Sequence, residues 1–455
     1  MVAIISGERP RPREPVKIHC FADFRCPGSV QQVASALRNA WRAFRLLKSP
    51  DIATTFKGEL KEYQVPSSSE EVQKWVDQTF LISENGTSVQ AVVREMQSRI
   101  DGLPICYLVP KQQQQHGVLE VFEGTLILFI SHWRIEASGA YQILNQVFDY
   151  ASELMQGNHT AEALSHHALG SEVQLLTPPL EHIFPTRSDA ATEAVVEKMI
   201  AEHFSAYPPL EVPTDGDLAG PPSSVAMRRI TFSTESTSRL IQACKPLSLT
   251  VTSIVHAAYL GAVATISPDP SHAYACIMPA QARKRLPASS PYRDQACWNA
   301  SKLMFLNAPS NQDFLTRARH LRNQYSVANT EEWWCADMEK EGKIVAEHAS
   351  KVPPANPALP YFTACGRLDG DIIVPDHTPI TVEDVYVFGD PADGAGVVLG
   401  TWTFREMLNV EVHYNTAFEA AKDVDLILDR LREILTSELL DGKTLEIEKR
   451  SVIEF

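Results

Sequence analysis

His132 stands in the stretch Ser131-His132-Trp133-Arg134-Ile135-Glu136-Ala137-Ser138-Gly139, where an apolar run ends and helical spacing begins. Between a strand and a helix, a side chain reaches a cleft while the sheet holds its backbone. An imidazole with an ordinary pKa near 6.5 takes a proton from an alcohol or amine at neutral pH. Glu136, four residues on, is placed to orient the loop through an ion pair. The pattern HxxxE alone fits a structural histidine equally well. Elsewhere the chemistry is thin. His166-His167 has no acidic or thiol partners at ligand spacing, so no metal site is expected. Trp333-Trp334 fits a buried pair better than a ligand wall. Walker A, HExxH and GxSxG patterns are absent from the sequence, which argues against nucleotide hydrolysis, zinc proteolysis and the α/β-hydrolase chemistries. The densest basic cluster beside an ordered element is Arg283-Lys284-Arg285 with Arg293 and Lys302, a place for an anionic small ligand.

Residues 29–48 carry Val33, Leu37, Ala40, Trp41, Phe44 and Leu47 at helical spacing, closed by Pro50. Residues 71–82 and 87–100 read as shorter helices. The period then changes: 103–109 and 117–131 are rich in aliphatic and β-branched residues and read as strands. A helix follows the His132 stretch, with Ser138 as its expected N-cap. From about 176 to 226 proline is too dense for a packed element, which marks a crossover. Beyond it come a strand at MRRITFS, a capped helix, and a long buried helix started by Ser248 or Thr250. Two strands on either side of a basic turn lead to a helix at 311–329. Three late strands, near 382–388, 395–403 and 408–414, precede a final amphipathic helix at 422–437. The expected division is an N-terminal lobe at 1–180, a crossover at 181–225 and a C-terminal lobe at 226–455.

With 455 residues and 44% hydrophobic composition the chain can bury two cores. A formal charge of −15 repels polyanions, so nucleic acid is not an expected partner. Eight cysteines without a CxxC pair fit reduced thiols. No window nears the ~18 apolar residues of a membrane span, and the opening MVAIISGERPRPREP lacks the order of a secretory signal. A soluble cytoplasmic protein, acting as a monomer, is expected.

Read together with two later stretches, the His132 motif resembles the HxxxDG signature of the chloramphenicol-acetyltransferase-like superfamily. That superfamily includes BAHD acyltransferases, condensation domains of nonribosomal peptide synthetases, and fungal acetyltransferases of the trichothecene 15-O-acetyltransferase type. Here the Asp is Glu136 and the Gly is Ala137. QARKRLPASSPYRDQACWNA is similar to the BAHD stretch DGRSRLNPPLPxGYFGNA, with Arg283 and Arg285 on its arginines and Asn299-Ala300 on its Asn-Ala. VEDVYVFGD occupies the place of DFGWG, aligning Asp384 and Gly389. The resemblance runs from about residue 30 onward. It implies an α/β fold, a two-lobed pseudodimer of sandwiches with a central tunnel. His132 would be the base and Glu136 with Arg283 the pair holding its loop, while Thr401, Thr403 and Tyr386 are candidate oxyanion donors. Acyl-CoA would be cosubstrate, with Lys284, Arg285 and Lys302 as candidates to bind it, and no cofactor would stay bound. The expected reaction moves an acyl group to a hydroxyl of a hydrophobic secondary metabolite. The alternatives are a carrier-protein thioester donor, a cyclisation in the same tunnel, or a metabolite-binding protein without catalysis. One extra methylene in Glu136, about 1.5 Å of reach, and the loss of glycine freedom at Ala137 are the departures that bear on turnover.

Overall fold

The computed structural model describes residues 17–454, apart from 58–59, 98, 100–101, 112–114, 117–118, 133, 158, 179, 185, 219–223, 287–288, 300, 353–357, 371, 390–394 and 441–443. In chain order the elements that matter begin with β1 (Lys17–Pro27), α1 (Val30–Ala43), α2 (Ser69–Thr79), β2 (Phe80–Ile82) and α3 (Val89–Gln97). Next come β3 (Ile105–Pro110), β4 (Leu119–Ser131), α4 (Ala137–Met155), α5 (Ala190–Phe204), β5 (Val225–Phe232), α6 (Thr234–Cys244) and α7 (Val251–Ala264). Then follow β6 (Tyr274–Gln281), β7 (Ser301–Ala308), α8 (Phe314–Val327), α9 (Met338–Ala349) and β8 (Leu359–Arg367). The chain ends with β9 (Ile380–Gly389), β10 (Gly396–Phe404), β11 (Met407–Asn415), α10 (Ala421–Leu439) and β12 (Ile447–Glu454).

Two sheets organise the molecule. The first runs β9-β1-β4-β3-β2, with short pairings at both sides; the second runs β8-β10-β11-β5-β12. Stretch 226–455 therefore supplies strands to both sheets, because β9 pairs antiparallel with β1, His19 opposite Phe388. Each sheet has its own apolar core. Trp402 and Phe404 of β10 belong to the first core, whereas Val397 and Leu399 of the same strand belong to the second. Strand alternation explains the split, since odd and even positions leave opposite sides of the strand. Arg229 of β5 makes an ion pair with Asp384 of β9, and Lys449 approaches the same carboxylate at 3.3 Å. This partly buried pair ties one sheet to the other and gives the aligned Asp384 a structural role.

The helices form where their spacing and caps direct. Ser29 and Gln32 close a capping box on α1, whose Trp41 stacks on Trp75 at 5.6 Å and donates its Nε1–H to Thr79 at 2.9 Å. Burying such a side chain is worth about 1.5–3 kcal/mol. Thr250, not Ser248, caps α7 through a second capping box with Ser253. That helix is apolar all round because it lies between α8, α10 and the second sheet. All eight cysteines are free thiols. Among the described residues no helix is long and apolar enough to cross a membrane.

Candidate active site

Strand β4 delivers His132. Its last residue, Ser131, lies opposite Lys17 at the start of β1, and the Arg134 amide closes a turn by donating to the Ser131 carbonyl at 3.0 Å. Arg134 is buried and donates to Thr54 Oγ1 at 3.1 Å, while Ile135 is fully buried, so the turn is pinned on both sides of its tip. His132 stays partly exposed. Burial is the largest influence on its imidazole and lowers its pKa below the usual 6.5, opposed by hydrogen bonds with its own backbone and that of Ile135. Bonds that favour the imidazolium are ring N–H groups donating to carbonyls. The lowered pKa favours the neutral ring, the form that can accept a proton.

Glu136, rather than the expected Ser138, is the N-cap of α4, and Ser138 lies within the first turn. The Glu136 side chain makes no cap bond because it is drawn instead to Arg283, with which it forms a buried ion pair. Arg283 also donates to three carbonyls: Gln295 at 3.1 Å, Ala296 at 2.8 Å and Trp298 at 2.9 Å. Its guanidinium carbon lies 5.3 Å from the Trp298 ring centroid. Burial pushes Arg283 down to about 9, which leaves it a cation at neutral pH. The loop so gripped ends in Asn299, whose Nδ2 donates to the His132 carbonyl at 3.1 Å while its Oδ1 accepts from Ser301 at 2.6 Å. The contacts close a ring running from Glu136 through Arg283 and Asn299 back to His132. Ala300, aligned with the Asn, lies outside the described residues.

Two small residues let this ring close. Ala137 takes helical geometry at the start of α4 and is not among the positive-φ residues, so the departure from glycine costs no strain there. Space is short two residues later. A Cβ on Gly139 would lie 2.6 Å from the Ala296 carbonyl oxygen, 2.7 Å from Ile135 and 3.0 Å from Arg283. Gly139→Ala is expected to cost about 1–3 kcal/mol of stability by overpacking, read as a lowered urea midpoint. An unchanged midpoint would show that the α4 start and the Arg283 loop are not in close contact. Asn299 and Gly139 were not singled out from sequence as site residues; the aligned Asn-Ala and the glycine three residues after Glu136 are the signals that point to them.

The oxyanion candidates divide. Thr401 and Thr403 share the side of β10 with Val397 and Leu399, which face the second core, and Thr401 donates its hydroxyl to the Asn409 carbonyl at 2.9 Å. Strand parity turns both away from the first core, where Trp402 points. Tyr386 is where the sheets meet: it stacks on Phe21 at 4.5 Å under Arg229 at 5.0 Å, and burial keeps its phenol protonated. Of the basic cluster, Lys302 is a buried structural cation, paired with Glu341 at 2.9 Å and donating to the Trp333 carbonyl at 2.7 Å. It is not free to meet a ligand phosphate. Arg285 is exposed and bonded to Asn329. The Lys284 side chain lies outside what is described. Among the described residues no three His, Cys, Asp or Glu side chains gather as metal ligands.

The fold is chloramphenicol-acetyltransferase-like, and the chain is similar in sequence to fungal acetyltransferases. Superposition on the TRI3 trichothecene 15-O-acetyltransferase of Fusarium sporotrichioides covers 94% of this chain and 92% of that one, with a TM-score of 0.77 at 13% identity. The EpoB NRPS cyclization-docking bidomain of Sorangium cellulosum matches 95% of this chain and 81% of its own, with a TM-score of 0.61 at 13% identity. In sequence the chain is 24% identical over 452 residues to the O-acetyltransferase pigM of Monascus ruber, spanning 96% of this chain and 83% of that protein. It is 25% identical over 452 residues to the acetyltransferase pigO of the same organism, spanning 95% and 93%. No family model matches the chain. The sequence similarities are to acetyltransferases, whereas the fold is shared by an acetyltransferase and a cyclization-docking bidomain.

Proposed function

We propose that the protein moves an acyl group from acyl-CoA to a hydroxyl of a hydrophobic secondary metabolite, with His132 as general base. The observation that carries this reading is the ring of contacts, which grips the His132 loop through the His132 carbonyl and Glu136 and takes no bond from the imidazole. An unprotonated ring nitrogen of His132 takes the hydroxyl proton as the oxygen attacks the thioester carbonyl. Tyr386 is the remaining candidate to donate to the oxyanion, and the proton passes to the CoA thiolate as the intermediate collapses. Arg285 is the candidate contact for the CoA anion, and the protein acts alone in the cytosol.

The 24% and 25% identities to proteins named as acetyltransferases favour CoA over the carrier-protein or cyclisation alternatives, which the fold alone leaves equal. Purified protein is expected to release CoA thiol from acetyl-CoA when given an alcohol such as 2-phenylethanol. Its kcat/KM should rise with pH through a midpoint below 6.5 and then stay level, since burial lowers the His132 pKa and the neutral ring is the active form. No thiol release with any alcohol, together with no shift in melting temperature at millimolar CoA, would sink the proposal. A midpoint above 6.5 would remove His132 from it.

A further inference from the structure

One place in the molecule gathers buried polar atoms that no part of the mechanism uses. At the junction of the sheets, both ring nitrogens of His19, Nδ1 of His413, Oε2 of Glu411, the Tyr141 hydroxyl and Nε1 of Trp402 are buried without a hydrogen-bond partner among the described residues. His413 Nε2 and Glu411 Oε1 are joined at 2.9 Å, so this pair is half satisfied and its other atoms stay buried without a partner. His19 and His413 come from different sheets yet pack on the same ring, Phe388, at 5.3 and 5.0 Å. Glu411 and His413 act electrostatically on Tyr141 and His19 respectively, which puts all four in one neighbourhood. Native proteins leave few buried polar atoms dry, and a concentration of them marks something that completes it.

The place is near the base. Lys17 lies opposite Ser131, the residue before His132, and His19 is two residues further along β1, about 7 Å away. Tyr141 sits on α4, little more than one turn beyond Glu136. The chemistry is mixed. Trp402 can only donate, tyrosine and neutral histidine do both, and the Glu411 carboxyl, whose pKa burial raises, accepts and when protonated also donates. Burial holds His19 down to about 3, hence neutral. Such a set matches hydroxyl and carbonyl oxygens on an uncharged molecule better than a phosphate or an ammonium. The rings of Phe129 and Phe388 flank His19 at 4.9 and 5.3 Å and supply flat walls.

We propose that this junction is an acceptor-recognition subsite, in which His19, Tyr141, Trp402, Glu411 and His413 hydrogen-bond the hydroxyl and carbonyl oxygens of a neutral, polyoxygenated aromatic molecule. That the molecule is then acylated at His132 rests on the function proposed above; that it binds does not. The test is calorimetric titration of the full chain, without acyl donor, with 2,4-dihydroxyacetophenone and with acetophenone. Wild type is expected to bind the dihydroxy probe at least tenfold more tightly, and His19→Phe and Trp402→Phe each to cut that preference at least fivefold. Both variants remove a dry nitrogen without stranding a partner, so both are expected to melt no lower than wild type. If either misfolds, the other decides.

Equal binding of the two probes by wild type overturns the proposal. So does a preference that survives in the variants while their melting temperatures rise, which is the mark of a merely structural cluster. Preference without CoA thiol release keeps the subsite and sinks acyl transfer, whereas turnover without preference does the reverse.

Discussion

Replacing His132 by Ala is expected to lower kcat for acyl transfer by about 10²- to 10⁴-fold, the range a positioned general base contributes, while leaving the fold intact. The long-range contacts that anchor the turn bypass the imidazole. Asn299 holds the His132 carbonyl, Arg134 holds the turn through Thr54, and Glu136 holds the start of α4 through Arg283. The ring makes only short-range bonds with its own backbone and that of Ile135. Its loss therefore strands no distant group, and the melting temperature should stay close to wild type. A base acts in the transition state, so kcat and kcat/KM should fall together with KM little changed. Thiol release from acetyl-CoA under saturating alcohol gives the comparison. Turnover within a few-fold of wild type would show that His132 is not the base.

Much of this site can be read from residue order alone, and the parts that cannot have physical reasons. The junction at His132 shows because an aliphatic run gives way to helical spacing, and the pair with Arg283 shows through the resemblance. Strand β1, central in the first sheet, carries no clear strand signal in its sequence. Its sequence KIHCFADFRCP is buried on both sides over most of its length, so it lacks the alternation that betrays a half-buried strand. Strands β8 and β12 and helix α9 are likewise not among the elements expected from sequence. Thr401 and Thr403 were candidates because β10 is in the right lobe, but alternation tells only that neighbours point apart, not which points where. Lys302 belongs to a basic run in sequence and to a buried ion pair in space; charge density along a chain carries no information on burial. Ser138 is a good capping residue by type, yet Glu136 takes the cap because its carboxylate is held by an arginine more than a hundred residues away.

Replacing Arg283 by Ala is expected to cost about 3–5 kcal/mol, since removing one member of a buried pair leaves the other charged and uncompensated. Here the damage goes further, because the Trp298 carbonyl loses the Arg283 donor and the Gln295 and Ala296 carbonyls each lose one of two. Against a typical domain stability of about 5–15 kcal/mol, the variant should show a much lower urea midpoint. Arg283→Lys keeps a charge for Glu136, but one ammonium cannot span a carboxylate and three carbonyls, so it should fall between Ala and wild type. The sharper test is Glu136→Asp, which restores the residue of the HxxxDG signature. Arg283 is fixed by three carbonyl bonds and the Trp298 ring and cannot advance to follow a shorter side chain. The carboxylate would withdraw by about 1.5 Å, and the α4 start would have to shift to restore the pair. A displacement near 1 Å at a reacting group costs up to about 10²-fold in rate. Glu136→Asp is therefore expected to lower kcat by about tenfold or more and to lower the urea midpoint, despite matching the signature. A variant as stable and as fast as wild type, or faster, would mean that the loop does not depend on the reach of Glu136.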